Sequence, residues 1–248
     1  MPASVHNPTV NAGDLAGLGR GVDSWRSKTT ELVGAKRDGP EKPVYAGFSW
    51  MVPLLPHLGH QDVYQLFDFT KSWTDPTNLA MSGIVIPAFV DPTNSHQRWT
   101  GFPHPGIALT HFVGMSGVDD TRNSVAAKLP RSDKRAGVFG YDQVARNDEI
   151  TDGTSQTIMV IGAGKVTAPW VQGGGATIRG AREPYFDELS GFGSGGVSGG
   201  GTLAVMADGS VRMISKSIDP AVFRAMCTIH GADTVDSAKL DASAPRKP

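Results

Sequence analysis

The chain has 248 residues, of which 39% are hydrophobic, a share sufficient for a packed core and therefore incompatible with wholesale disorder. The 31 glycines and 17 prolines favour turns, short strands and long loops over a helical bundle. The 23 basic and 24 acidic residues give a formal net charge of −1, so no basic excess exists for binding nucleic acid.

The N-terminal region 1–43 is predicted to be an arm and linker with one short helix over residues 22–33. A domain is expected over 44–231, followed by a flexible tail over 232–248. No apolar run approaches the 18 residues of a membrane span, and the first 11 residues lack the pattern of a signal peptide. The single cysteine, Cys227, excludes a disulfide within the chain and a cysteine-cluster metal site.

The first half of the domain alternates short helices, strands and a polar loop. Pro53 and Pro56 limit the apolar stretch 48–58 to a short helical piece, and residues 61–69 predict a second one. Segments 84–90 and 107–114 predict strands, of which the first carries Pro87 and is expected at a sheet edge or bulge. Residues 119–137 are polar and predict a surface loop.

The second half begins with a turn and ends with a hairpin. Asp152-Gly153-Thr154-Ser155 predicts a turn in which the aspartate bonds the backbone two residues on, and it leads into a strand ending at Ile161. The triple glycine 173–175 and the segment 192–201 predict Gly-rich loops. Over 202–215, Asp208-Gly209 predicts a two-residue hairpin turn. On its second strand, Val211 and Met213 are expected to be buried and Arg212 to be exposed.

A C-terminal helix is predicted over 220–230. Asp219 is a suitable cap, Pro220 suits the first helical position, and Gly231 ends the helix. The expected apolar stripe consists of Val222, Phe223, Met226 and Cys227. Together these elements predict an α+β fold built on an antiparallel sheet with long Gly-rich loops.

Catalytic motifs are weak in this sequence. Ser198 lies in a Gly-x-Ser-x-Gly match over 196–200, but glycines precede it and a predicted strand follows, so a flexible loop is favoured over a nucleophile elbow. Gly162-Ala163-Gly164 follows a strand without a helix behind it, which excludes a dinucleotide site.

The candidate metal ligands in the sequence are loop carboxylates and two histidines that lie three positions apart. Asp119, Asp120 and Asp152 are weak calcium candidates, since their spacing is not that of a regular calcium loop and each suits a turn equally well. His57 and His60 would need a third ligand for zinc, conceivably Asp62, so a surface pair is favoured.

Other side chains suggest surface binding or packing. Trp73 and Trp99 lie in polar contexts and are expected either to cover loops or to line a carbohydrate patch. Arg179, Arg182 and Glu183 either bind an anion or pair with one another, the latter being favoured. His104 and His111 are expected to be hydrogen-bonding loop residues, since no nucleophile lies near them in the sequence.

Four segments in order, 48–64, 137–140, 150–160 and 207–217, resemble a large planctomycete family, the domain of unknown function 1559. This family is also described as a prepilin-type processing-associated domain with a His–nine residues–Asp-Gly motif. The resemblance covers about residues 44–231. It rests mainly on the Asp152–Ser155 turn together with the Asp208-Gly209 hairpin, because either alone is weak.

The resemblance implies a globular head like that of type II secretion pseudopilins, located outside the cytoplasm, and it implies no enzymatic activity. Three departures stand out. No segment before residue 44 resembles the pilin helix, the motif's histidine position falls on Ser198, and the cysteine often found near residues 89–92 is absent. The missing pilin helix weakens the inference that this chain assembles into a filament. The serine at the motif's histidine position implies that any structural or metal-binding role of the family's histidine is not exercised here.

We therefore expect a non-enzymatic structural or interaction domain of the cell envelope, without a cofactor. Loops 93–105, 119–137 and 179–201 would present the binding surface to a protein partner or a second copy. A calcium- or carbohydrate-binding module remains an alternative, and so does a hydrolase using Ser198 or a His–Asp pair. The sequence by itself assigns no compartment, since no signal or anchor is visible.

Overall fold

The computed structural model describes residues 12–26, 47–92, 94–119, 125–141, 143–187, 189, 191–193 and 200–231. The helices are α1 (Ala12–Arg26), α2 (Gln61–Gln65), α3 (Pro76–Ser82) and α4 (Pro220–Met226). The strands are β1 (Leu109–Thr110), β2 (Phe112–Val118), β3 (Ile158–Gly162), β4 (Ala168–Pro169), β5 (Ile178–Ala181), β6 (Gly201–Met206) and β7 (Val211–Ser215). The α+β class predicted from the sequence is confirmed.

The central sheet has the strand order β5-β2-β3-β6-β7, and β1 pairs separately with β4. In the central sheet, every neighbouring pair of strands is antiparallel except β2 and β5, which run parallel. The predicted antiparallel sheet is therefore confirmed except at this edge. A parallel pair needs a crossover, and the chain makes it through β3, β4 and the short 3₁₀ turn at Gly174–Ala176.

Both faces of the sheet are covered by apolar side chains. One face packs against α1 and the segment 48–55, with Met159 and Val205 contributed by the strands. The other face packs against α4, whose Phe223 lies among Tyr185, Phe186 and Phe192. Burial on both sides explains why β2 and β3 consist almost entirely of apolar and small residues.

Helix α1 is the largest departure from the sequence-based prediction. A weakly structured arm was expected over residues 12–21, yet Leu15, Leu18, Val22 and Trp25 form a buried stripe against the core. The glycines of this segment lower its helical propensity, which explains the wrong prediction. Residues 27–33, where the short helix was predicted to continue, lie outside the described residues.

The Asp208-Gly209 hairpin is confirmed, although its turn is one residue longer than predicted. Met206 N donates to Ser210 O at 2.8 Å and Gly209 N donates to Met206 O at 2.9 Å, which closes a three-residue loop. Only Gly209, at φ +81°, needs the left-handed region. Ile214 is the buried residue of β7, whereas Met213, expected to be buried, is partly exposed on this edge strand.

The C-terminal helix also begins as predicted and ends earlier. Asp219 Oδ1 accepts from Ala221 N at 2.8 Å, and the predicted apolar stripe of α4 is buried. The helix stops at Met226 because Ile229 is drawn into the core. There its N–H donates to Ala136 O, and its carbonyl accepts from Thr151 N.

Two other segments differ from their predictions. Residues 84–90 form no strand, because Pro87 opens a short 3₁₀ turn at Pro87–Phe89. Helix α3, capped by Asp75 and opened by Pro76, was not predicted at all. The strand expected over 107–114 is confirmed as β1 and the start of β2. No helix among the described residues has the length and apolar composition to cross a bilayer.

Candidate functional site

The most exposed large apolar side chain among the described residues belongs to a loop over residues 98–106, here called the aromatic loop. Its base is closed by backbone hydrogen bonds from Trp99 N to Ile107 O and from Gly106 N to Trp99 O, both 2.7 Å long. Gly106 has φ +91°, a value that glycine adopts without strain. Residues 98–106 therefore form a loop between α3 and β1 that is closed at its base by hydrogen bonds.

Side chains hold the aromatic loop from both sides. The Arg98 guanidinium donates to Gly106 O at 3.0 Å and to Gly83 O at the end of α3. His104 meets the edge of Trp73, with ring centroids 6.2 Å apart. The Trp99 ring lies over Gly101, where an added Cβ would come within 2.7 Å of it. These contacts fix the loop's position relative to the core.

Phe102, at the tip of this loop, is 92% exposed, and Trp99 beside it is 37% exposed. Scattered exposed apolar residues are common, but a nearly uncovered phenylalanine on a fixed loop is unusual. Its burial by a partner would remove apolar surface from water with little ordering cost in the loop. Sequence reasoning placed this loop on the surface but missed Phe102, although an aromatic residue flanked by glycine and proline was a usable signal.

The family-motif residues converge elsewhere, in what we call the motif junction: residues 152–157, residues 207–210, Gly19 and Arg26. Asp208 N donates to Thr154 O at 3.1 Å, and Ala207 N donates to Thr157 O at 2.8 Å. The two turns recognised in the sequence thus bind each other directly. Asp208 also accepts from Ser210 N and Ser210 Oγ, which stabilises the hairpin turn.

Asp152 connects this junction to the C-terminal segment. Its Oδ2 accepts from Gly231 N at 2.7 Å and from Thr228 Oγ1 at 3.2 Å, two partners distant in the sequence that the turn prediction did not include. Gly153 has φ +98°, which confirms the predicted left-handed position. The hydrogen bonds of Asp152 therefore connect the residues after α4 to the turn that precedes β3.

Helix α1 covers the junction from the other side. A Cβ on Gly19 would lie only 2.5 Å from Gly209 O and 2.8 Å from Val205 Cγ1, so the helix and the hairpin turn touch through their backbones. Buried Arg26 donates to Ala207 O at 2.8 Å and to Asn147 Oδ1. Burial lowers the pKa of this guanidinium, and the nearby Asp23 carboxylate opposes that effect. All these contacts serve packing.

The two calcium candidates that the structure describes, Asp119 and Asp152, each have a structural role. Asp119 Oδ1 accepts from Ala126 N at 2.6 Å, which organises the 3₁₀ turn at Ala126–Lys128, while Asp152 acts in the motif junction. Asp120 lies outside the described residues. Among the described residues, no group of three or more histidine, cysteine, aspartate or glutamate side chains is arranged to hold a metal ion.

The paired histidines line a cavity instead of one helical face. His57 lies within a 3₁₀ turn at Leu55–Leu58, and His60 precedes α2, with Gly59 at φ +85° between the turn and His60. Both residues line a cavity of about 540 Å³ beside α1. Ser24, which also lines it, has its Oγ 3.1 Å from His57 Nδ1. Sequence reasoning missed the α1 residues of this cavity because it assigned most of their segment to an arm.

The remaining candidates have structural partners. Arg179 donates to Gly191 O and Val166 O, which replaces the favoured ion pair with carbonyl contacts. Glu183 Oε1 accepts from Tyr185 Oη at 3.2 Å. Burial, as the larger cause, and this hydrogen bond, as the second cause, raise the pKa of Tyr185 to about 12. His111 is buried, accepts from Asp91 N and contacts His96 O, as expected of a hydrogen-bonding residue. Burial lowers its pKa.

Ser198, the formal nucleophile and the position of the family histidine, lies outside the described residues, as do its neighbours over 194–199. Trp73 is half-buried against His104 and Gly47, and Trp99 lies over Gly101. Among the described members of the family motif, Asp152, Gly153, Thr154 and Asp208 have contacts that explain them as structural residues.

Comparison with known proteins identifies the family. No curated protein and no solved structure matches the chain. A family model described as a protein of unknown function, DUF1559, matches residues 19–185, which is more than half of the chain. The match begins within α1, earlier than residue 44 where the resemblance was placed, and it ends before the hairpin. The chain belongs to the DUF1559 family.

Proposed function

We propose that this protein is a non-enzymatic interaction domain of the cell envelope, related to the heads of pseudopilins, and that it binds a protein partner through the aromatic loop. The observation that carries this proposal is Phe102, 92% exposed at the tip of a loop that is held at its base. A preformed aromatic side chain of this kind is a typical anchor of a protein interface.

The rest of the loop supports the same use. Arg98, Trp99 and His104 surround Phe102 in the sequence and supply hydrogen-bonding groups next to the apolar tip. Interfaces commonly combine an aromatic centre with a polar rim. No cofactor is needed for such a function, and none is proposed. The partner is either another envelope protein or a second copy of this chain.

Site-specific photo-crosslinking tests this proposal. A photoreactive phenylalanine analogue is placed at position 102 in the full-length protein, expressed in its native cell. We expect a discrete crosslinked product at position 102 and none at a matched exposed position outside the three predicted binding loops, Arg224. Mass spectrometry then separates a heterologous partner from a second copy. Equal labelling at both positions, or none at position 102, would contradict the proposal.

The hydrolase alternative has its own test. Ser198→Ala and Ser24→Ala variants are compared with the wild type for cleavage of activated esters, because Ser24 has a histidine neighbour and Ser198 has the formal motif. We expect no serine-dependent turnover. Hydrolysis that one of these substitutions abolishes would overturn the non-enzymatic assignment.

A further inference from the structure

A second, separate site lies between α1 and the turn before α2, on the cavity of about 540 Å³. Four residues of α1 line this cavity: Gly17, Arg20, Gly21 and Ser24. Successive members of this set lie three, one and three positions apart in the sequence. This spacing places them on one face of the helix. The opposite wall consists of His57, Leu58 and His60, and the remaining wall consists of Pro87 and Ala88.

The polar groups of this cavity are hydrogen-bond donors or can become donors. Arg20 supplies a guanidinium, His57 and His60 supply imidazoles, and Ser24 supplies a hydroxyl. None of the described residues that line the cavity is acidic. A cavity with a cationic group and without carboxylates in its wall favours an anionic ligand.

The backbone of α1 lies close to the turn that carries the two histidines. A Cβ on Gly21 would lie 2.7 Å from Leu58 Cδ2, the movable end of a side chain, and 3.5 Å from His57 O, an ordinary contact distance. The Arg20 guanidinium reaches back along the helix, with Nη2 4.0 Å from the Cβ position of Gly17. The hydrogen bond between Ser24 and His57 orients the imidazole at the other end.

We propose that this cavity binds a small organic phosphate. A phosphate monoester offers three terminal oxygens to the donors in the cavity wall, whereas a carboxylate offers only two, and arginine is well suited to bind phosphate oxygens in pairs. The volume exceeds that of inorganic phosphate and falls in the range of small-molecule sites. Leu58, Pro87 and Ala88 provide an apolar surface for the organic part of the ligand.

Isothermal titration calorimetry with glucose 6-phosphate, inorganic phosphate and glucose tests this site in the full chain. We expect saturable binding of glucose 6-phosphate, weaker saturable binding of inorganic phosphate, and no binding of glucose. Arg20→Gln and His60→Gln should each weaken glucose 6-phosphate binding at least about tenfold, as expected for loss of a hydrogen bond to a charged group.

Arg224→Gln is the matched control, because Arg224 is also an exposed helical arginine but does not line this cavity. It should leave binding unchanged. The absence of saturable binding for both phosphates, equal binding of glucose, or equal weakening by Arg224→Gln would overturn the proposal. Circular dichroism melting curves establish that each variant is folded, and Ser24→Ala replaces Arg20→Gln if the latter is not. Because Phe102 takes no part in this cavity, the crosslinking result and the phosphate result can fail independently.

Discussion

The motif junction and the aromatic loop are both built from turn residues, yet they differ in what their hydrogen bonds connect. In the junction, the bonds join segments far apart in the chain, such as Asp152 to Gly231 and Arg26 to Ala207. In the aromatic loop, the backbone bonds join residues only a few positions apart, and Phe102 is left in solvent. The first region holds the fold together, and the second presents a surface.

This difference separates the residues that identify the family resemblance from those that we propose to bind a partner. The Asp-Gly turns can be recognised in the sequence because their geometry restricts which residues are allowed there. A binding residue on an exposed loop meets no such restriction from its own fold. Substitutions in the junction should therefore change stability, and substitutions in the aromatic loop should change binding alone.

The largest effect is expected for Asp152→Ala. It removes an acceptor that serves Gly231 N and Thr228 Oγ1, so the free energy of unfolding should fall by about 2 to 3 kcal/mol. Urea denaturation followed by tryptophan fluorescence measures this change. Asp148→Ala is the control, because Asp148 forms only an exposed pair with Arg146. Equal losses in the two variants would contradict the role of Asp152.

A smaller loss is expected for Gly19→Ala. The new methyl group would lie 2.5 Å from Gly209 O, and overpacking of about 1 to 3 kcal/mol should exceed the gain of about 1 kcal/mol in helix propensity. A Cβ at Gly17 on the same helix would meet only Arg20 Nη2 at 4.0 Å, an ordinary contact, so Gly17→Ala should be stabilising. Thermal unfolding curves of the two variants should therefore shift in opposite directions. A shift of both to higher temperature would show that α1 does not press on the hairpin.

A third, still smaller effect is expected for Asp219→Ala at the start of α4. Loss of the side-chain cap on Ala221 N and Val222 N should cost about 1 kcal/mol in unfolding free energy. Asp219→Asn, which keeps an acceptor, should recover most of this loss in the same denaturation experiment. Failure of asparagine to recover it would indicate that charge rather than capping is important.

The smallest effect on stability is expected for Phe102→Ala in the aromatic loop. Since the side chain is almost fully exposed, its removal should change the free energy of unfolding by no more than about 0.5 kcal/mol. The same variant, combined with a photoreactive residue at position 99, should lose crosslinking to the partner. A destabilisation as large as that of Asp152→Ala would remove the distinction between the two regions.

Much of the fold could be predicted where the signal is local. The hairpin at Asp208-Gly209, the cap at Asp219 and the strand ending in Ile161 all follow from the conformational preferences of a few adjacent residues. Helix α1 could not be predicted in this way. Its glycines are unfavourable in isolation, and the close approach of α1 to Gly209 explains Gly19.

The sequence by itself determined the α+β class, the family resemblance, the presence of a single cysteine and the positions of the tight turns. Only the tertiary structure decided the parallel pairing of β5 with β2, the association of the two motif turns, and the gathering of Arg20, Ser24, His57 and His60 around one cavity. The physical reason is the sequence separation over which each kind of interaction acts. Turn and cap preferences act over a few residues, whereas these contacts depend on close packing between segments that are distant in the chain.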